Sequence, residues 1–179
     1  TERTTFALYK AARASLPGLR VVQYQGPFNF SAINNTAARY ATGQHLLLLN
    51  NDVEFTSPDS IREMLSYSQR PDVGAVGAKL LYPDGTVQHA GVIIGGSAGH
   101  SHKGHPANSA GDMYRLATAQ NFSAVTGACL MVKKSLYDAL GGLDETNFAV
   151  AYNDVDFCLR LRAQDYVNVM TPFAAGTHY

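Results

Sequence analysis

Charge is scarce in this chain. Charged residues fill 16% of its 179 positions, against the ~25% usual for globular domains. Fourteen basic side chains cancel fourteen acidic ones. A chain with no net charge has no long-range field to steer it to nucleic acid or to an anionic membrane, so a small molecule or neutral polymer is the expected partner. Low charge together with 46% hydrophobic residues excludes a disordered chain. Cysteine is nearly absent too: Cys129 and Cys158 stand alone, without a CxxC or Cys/His ligand spacing. Buried, reduced thiols are expected, and with them a cytoplasmic setting. No apolar run approaches the ~18 residues that span a bilayer, and nothing near the start has the pattern of a signal peptide. An initiator Met is missing: Thr1 opens directly on a helical pattern, as a processed or truncated piece would. The length suits one domain with a substantial core.

What is present alternates regularly. Phe6, Ala7, Tyr9, Lys10 and Arg13 fall at helical spacing, which predicts a helix over 2–15 stopped by Pro17-Gly18. The β-branched run 19–24 reads as a strand, and Gly26-Pro27 turns the chain. A second helix is expected over 31–42, with Ile33, Ala37, Ala38 and Ala41 inward and Gly43 as its C-terminal cap. The uninterrupted apolar run 45–49 suits a strand buried on both faces of a parallel sheet. Ser57-Pro58 starts a helix that reaches about 69. A buried strand at 73–78, a turn at 82–85 and a strand at 87–94 follow. Residues 95–112 form a long loop rich in Gly, Ser and His, a kind usually functional in a compact domain. A strand over 122–132 is interrupted at Thr126-Gly127, and Ser135 caps a short helix that Gly141-Gly142 ends. A helix over 153–163 and a strand at 167–170 complete the chain. The alternation predicts one α/β domain over 1–179, with a mostly parallel sheet flanked by helices and a mixed C-terminal part.

Three groups of residues carry candidate chemistry. Asn50-Asn51-Asp52 sits at the carboxyl end of a dry strand, where open α/β sheets bind ligands and where a carboxylate can hold a hard divalent cation. By spacing alone, a turn is the plainer reading. Asn153-Asp154-Val155-Asp156 opens a helix, and its polar groups read first as a cap with acids complementing the helix dipole. The functional alternative makes Asp154 a general base for a hydroxyl. His100, His102 and His105 form HxHxxH in the long loop, either a metal site or a solvated segment. His89 falls in a strand pattern and reads as structural, while spacing does not distinguish His178.

Four segments in order carry a resemblance: LLLLNNDVEF at 46–55, GAVGAKLLYPDGTVQHAGVIIG at 74–95, VTGACLMVKKSLYDALGGLDE at 125–145 and NDVDFCLRLRAQDY at 153–166. Together they resemble bacterial family 2 glycosyltransferases, which have the GT-A (Rossmann-like) fold and build O-antigens and other surface polysaccharides. The resemblance covers nearly the whole chain. It implies an inverting, metal-dependent transfer from a nucleotide-sugar donor, UDP- or dTDP-linked, to a saccharide or lipid-linked saccharide. Asp52 would bind Mn²⁺ or Mg²⁺ carrying the donor diphosphate, with Asn50 and Asn51 beside it and His178 as a further ligand. Asp154 would deprotonate the acceptor hydroxyl. Thr126, Gly127, Asn153 and Asp156 would border the acceptor, along with the 95–112 loop.

Two residues depart from the family pattern, Asn153 in place of the usual Glu and Asn50 in place of Asp. The family's first strand, of the type VSIIIPTYN, and the second, ending in a base-reading Asp, are not found in this sequence. The nucleotide pocket is therefore expected to be incomplete and this polypeptide inactive by itself. A non-catalytic module that keeps the fold is the rival, and a hydrolase built on the loop histidines is a second. The resemblance also allows peripheral membrane association through a longer protein, and a second copy of the chain covering a free sheet edge.

Overall fold

The computed structural model describes residues 2–179; Thr1 lies outside the described residues. Helix α1 (Glu2–Ser15) forms as its spacing predicts, and the chain then runs irregularly to α2 (Phe30–Ala38). No residue from 4 to 30 is buried, and Phe6, Leu8, Leu16 and Phe28 stand exposed. The expected strand over 19–24 does not form. β-branched residues favour a strand only where a neighbour completes the ladder, and here none does. Asn29 caps α2 by accepting from the Ala32 N–H. The buried face is Ser31, Ala32 and Ala38; of the predicted inward residues Ala38 is buried and Ala41, just past the helix, packs on the core, whereas Ile33 is half-buried and Ala37 exposed.

The remainder is sheet and cover: β1 (His45–Leu49), β2 (Val53–Phe55), α3 (Ser60–Ser68), β3 (Val73–Leu81), β4 (Val87–His89), β5 (Val92–Ile94), β6 (Ala98–His100), β7 (Gln120–Phe122), β8 (Cys129–Lys133), α4 (Lys134–Ala139), α5 (Asn153–Arg162) and β9 (Val167–His178). The main sheet has the order β1-β8-β3-β9-β2, with β4 on β3 and β7 on β9; β5 and β6 make a separate hairpin. The α/β class holds. The expectation of a mostly parallel sheet does not, because among the described residues only β3 and β9 pair in parallel. β1, β3 and β9 still point the same way, but β8 runs antiparallel between β1 and β3. β1 is also an edge strand, which explains why it is only half buried.

Two apolar clusters sit on opposite faces of this sheet. On one, Leu46, Leu48, Ala75, Leu130 and Val132 pack with Tyr137, Phe157 and Leu161 from α4 and α5. On the other, Val73, Val76, Ala78, Leu80, Met131 and Val169 pack with Met64 of α3. Cys129 and Cys158 are free and buried, and burial pushes each thiol up to about 12, so neither is a ready nucleophile.

Two expected strands break for identifiable reasons. The 87–94 run splits at Gly91, whose φ of 94° suits glycine and over which the Phe122 ring lies where a Cβ would go. The 122–132 run splits because β7 joins β9 while β8 joins β1 and β3. Its intervening turn faces the site described next.

Candidate active site

An open cleft of about 440 Å³ lies at the carboxyl ends of the sheet strands. Its lining includes Asn50, His178, Thr126, Gly127, His100 and Asp154. Three separate segments of chain meet there. Asn50 follows β1, and its backbone N–H donates to the Ala128 carbonyl, tying the strand end to the 126–128 turn. α5 delivers Asp154 in its first turn. β9 delivers His178 because its last residues pair with β2, with His178 opposite Val53.

At one end, His178 Nε2 lies 3.2 Å from Asp52 Oδ1. The tautomer of His178 follows from its neighbours. Gln88 Oε1, 2.6 Å from Nδ1, accepts a proton there, while the Asn50 amide at 3.3 Å donates to Nε2. A carboxylate oxygen and an imidazole lone pair thus converge, the donor set a divalent cation takes. No group of three or more His, Cys, Asp or Glu gathers for a metal among the described residues. A cation here would have two protein ligands and would need oxygens from elsewhere.

At the other end, the Gly127 N–H donates to Asp154 Oδ2 at 2.7 Å, and the Val155 N–H donates to Oδ1 at 2.8 Å. Each oxygen keeps a lone pair, so the carboxylate is aimed without being used up. Gly127 is needed at this approach: a Cβ there would come within 3.3 Å of the Asp154 Cβ. The helix is capped by Tyr152 in a left-handed conformation (φ 62°), not by Asn153. Asn153 is buried on the cleft wall, and its Nδ2 has no hydrogen-bond partner among the described residues.

The structure therefore brings together Asn50, Asp52, His178, Thr126, Gly127, Asn153 and Asp154. Asn51 is exposed and does not line the cleft. Asp156 is corrected. It does not line the cleft; its Oδ2 accepts from Arg160 Nε at 2.8 Å, and so positions Arg160, which donates to the Leu140 and Gly142 carbonyls and anchors α5 to the loop after α4. Nor do the loop histidines form one metal site. His100 pairs with His89, whereas His102 meets the Ser101 hydroxyl and stacks edge-on against His105. Sequence reasoning missed Gln88 and the His89–His100 pair, because the partners come from strands that no local spacing relates.

A family model described as glycosyltransferase-like family 2 matches residues 1–179. The chain belongs to that family. This family 2 domain is 45% identical over 166 residues to the O-antigen biosynthesis protein RfbC of Myxococcus xanthus, a match covering 91% of the chain and 13% of that protein. It is 31% identical over 146 residues to N-acetylglucosaminyl-diphospho-decaprenol L-rhamnosyltransferase of Mycobacterium tuberculosis, covering 75% of the chain and 46% of that protein. The domain thus spans less than half the length of either relative. Among solved structures, a mannosyltransferase from Pyrobaculum calidifontis in complex with GDP-Man and Mn²⁺ superposes with a TM-score of 0.68 at 18% identity, covering 99% of the chain and 44% of that structure. The fold shared is that of the GT-A glycosyltransferases. No helix among the described residues is long and apolar enough to cross a membrane.

Proposed function

We propose that this family 2 domain carries the cation and base ends of an inverting glycosyltransferase site, which moves a sugar from a nucleoside-diphosphate donor to a saccharide hydroxyl. The observation that carries the reading is that one cleft is lined by both His178, paired to Asp52, and the backbone-held Asp154. Asp52 and His178 would bind a divalent cation, Mn²⁺ or Mg²⁺, whose remaining ligands come from the donor diphosphate and water; Mg²⁺ in particular favours few carboxylates plus substrate phosphates. When bound, such a cation offsets the negative charge that develops on the leaving diphosphate. Asp154 takes the proton from the acceptor hydroxyl as its oxygen bonds to the anomeric carbon and the bond to the diphosphate breaks. Asn50 steadies His178, and Gln88 fixes its tautomer. Thr126, Gly127 and Asn153 form the acceptor wall. The mycobacterial relative is named for rhamnosyl transfer to N-acetylglucosaminyl-diphospho-decaprenol, which supports a lipid-linked saccharide as acceptor.

The test is a calorimetric titration of the protein that carries this domain with UDP, GDP and dTDP, with and without Mn²⁺. Binding that needs Mn²⁺ and disappears in Asp52→Asn is expected. Nucleotide binding that ignores both Mn²⁺ and Asp52 would sink the assignment of the cation end, and the non-catalytic rival would gain.

A further inference from the structure

Beside Asp154 the cleft wall holds an imidazole whose hydrogen-bonding role is set from behind. His89 is fully buried on β4. Its Nε2 lies 3.3 Å from the backbone nitrogens of Gly91 and of Thr126. Both of these groups can only donate, so Nε2 must present its lone pair. The proton of neutral His89 is then on Nδ1, which lies 2.7 Å from Nδ1 of His100. Burial holds His89 well below the ordinary imidazole range, and the nearby His100 adds to this, so the neutral form is the one to reason with. His100 Nδ1 must accept, and its own proton is forced to Nε2. The two rings meet edge to face, with centroids 4.9 Å apart. Nε2 lies across the ring from Nδ1, and the exposed ring of His100 forms part of the cleft lining with Ala98, Gly99 and Thr126.

We propose that His100, with its tautomer fixed by His89, presents a permanent Nε2–H donor to an oxygen of the acceptor saccharide next to the attacking hydroxyl. The inference rests on the glycosyltransferase reading of the cleft. Asp154 marks where the attacking hydroxyl sits, and its charge reaches the His100 ring. Asn50 and His178 mark the opposite, donor end. His100 is not a second base: accepting a proton at Nε2 is impossible while it already bears one, and a proton at Nδ1 would face the Nδ1–H of His89. His100 therefore selects the acceptor, and His89 is a positioning residue. The ligand class is a sugar with a lone-pair oxygen beside its reactive hydroxyl.

Two variants separate the ring's halves. His100→Asn places an amide oxygen where Nδ1 accepts from His89 but puts nothing in the place of Nε2. His100→Gln reaches the place of Nε2 with an N–H but gives up the link to His89. Long-range ¹H–¹⁵N correlation on histidine-labelled chain reads the tautomers directly: Nδ1–H for His89 and Nε2–H for His100 are expected. Titration with N-acetylglucosamine, galactose, mannose and rhamnose, in the presence of UDP and Mn²⁺, should move the His100 Nε2 resonance for at least one sugar. His100→Asn should weaken that sugar's binding ~10-fold, with His100→Gln in between and nucleotide binding unchanged. The opposite tautomer at His100, no sugar moving its resonance, or both variants binding sugar like the parent would each overturn the proposal. Loss of nucleotide binding in both variants would do the same, by placing His100 at the donor end. If the protein that carries this domain binds no nucleotide with Mn²⁺, the glycosyltransferase reading fails and takes the acceptor assignment with it, while the tautomer result still reports on the pair itself.

Discussion

The two ends of the cleft hold their carboxylates in different ways. Asp154 lies in the first turn of α5 with a backbone N–H on each oxygen, one of them from a turn that joins the other side of the cleft. Asp52 stands with its side chain 44% exposed, and its one side-chain partner among the described residues is the edge of an imidazole that also presents a lone pair. The proposed base end has its backbone hydrogen bonds in place before anything binds. The cation end is electrically unfinished, two electron-rich atoms facing each other at 3.2 Å. On the proposed reading, the group to be aimed is held by main chain, and the pair to bind charge is left to be completed by it.

The comparison can be broken from either side. Asp154→Asn keeps the size and an acceptor for Gly127 but removes the base. Transfer measured on the protein that carries this domain should fall ~10²–10⁴-fold while nucleotide affinity and thermal midpoint stay put. A matching loss of nucleotide binding would mean that the ends are not separate. Asp52→Asn or His178→Ala should do the reverse, cutting Mn²⁺-dependent nucleotide affinity by at least ~10², since loss of even an outer partner of a metal ligand costs ~10–100-fold. Calorimetry reads that loss directly. Gln88→Leu sharpens the same point, because it frees the tautomer of His178 without touching a ligand atom; a drop of ~10-fold in Mn²⁺ affinity is expected, with Gln88→Glu retaining most of it.

Gly127→Ala is a smaller perturbation, pressing on Asp154 by a few tenths of an ångström. A few-fold fall in turnover at unchanged nucleotide affinity is expected from misplacing a base so slightly, and steady-state kinetics beside calorimetry would show it. The smallest effect is on stability against pH. Burial lowers His89 and His100 below the ordinary value of 6.5. At His100, Asp154 opposes that shift and Lys103 adds to it. The unfolded chain then binds more protons than the folded one, so this contribution is full above that value and is lost as the pH falls below it. Thermal midpoints between about pH 7.5 and 5.5 should decline, and His89→Leu should flatten the decline.

How much of this was legible depended on whether the cause was local. The strand into Asn50 and the helix start at Asp154 were visible, since an apolar run and a polar helix opening are properties of neighbouring residues. Asp156 was misplaced for a reason the sequence did contain: two positions on a helix differ by ~200°, so Asp154 and Asp156 cannot face the same cleft. The last strand was expected only over 167–170, whereas β9 runs on past Pro172 to His178. In the structure the register jumps there, Ala78 pairing with Thr171 and Lys79 with Ala175, so the proline sits in a bulge where no ladder N–H is needed. His178 was found through resemblance, since nothing within its own segment distinguishes it. The His89–His100 pair was not legible, because it depends on how β4 and the β5–β6 hairpin come together.

The pairing of β2 with the end of β9 gives the cation end a further property. Asp52 immediately precedes one strand and His178 ends the other, and the ladder between them has only three residue pairs. So short a ladder opens easily by itself. A ligand that grips both side chains fastens the two strands together, and its binding free energy adds to theirs. The edge strand β2 thus becomes a reporter: amide hydrogens at 53–55 should exchange slowly when a ligand holds both side chains and quickly when it leaves, while β9 stays paired to β3 through Leu81 and Thr177.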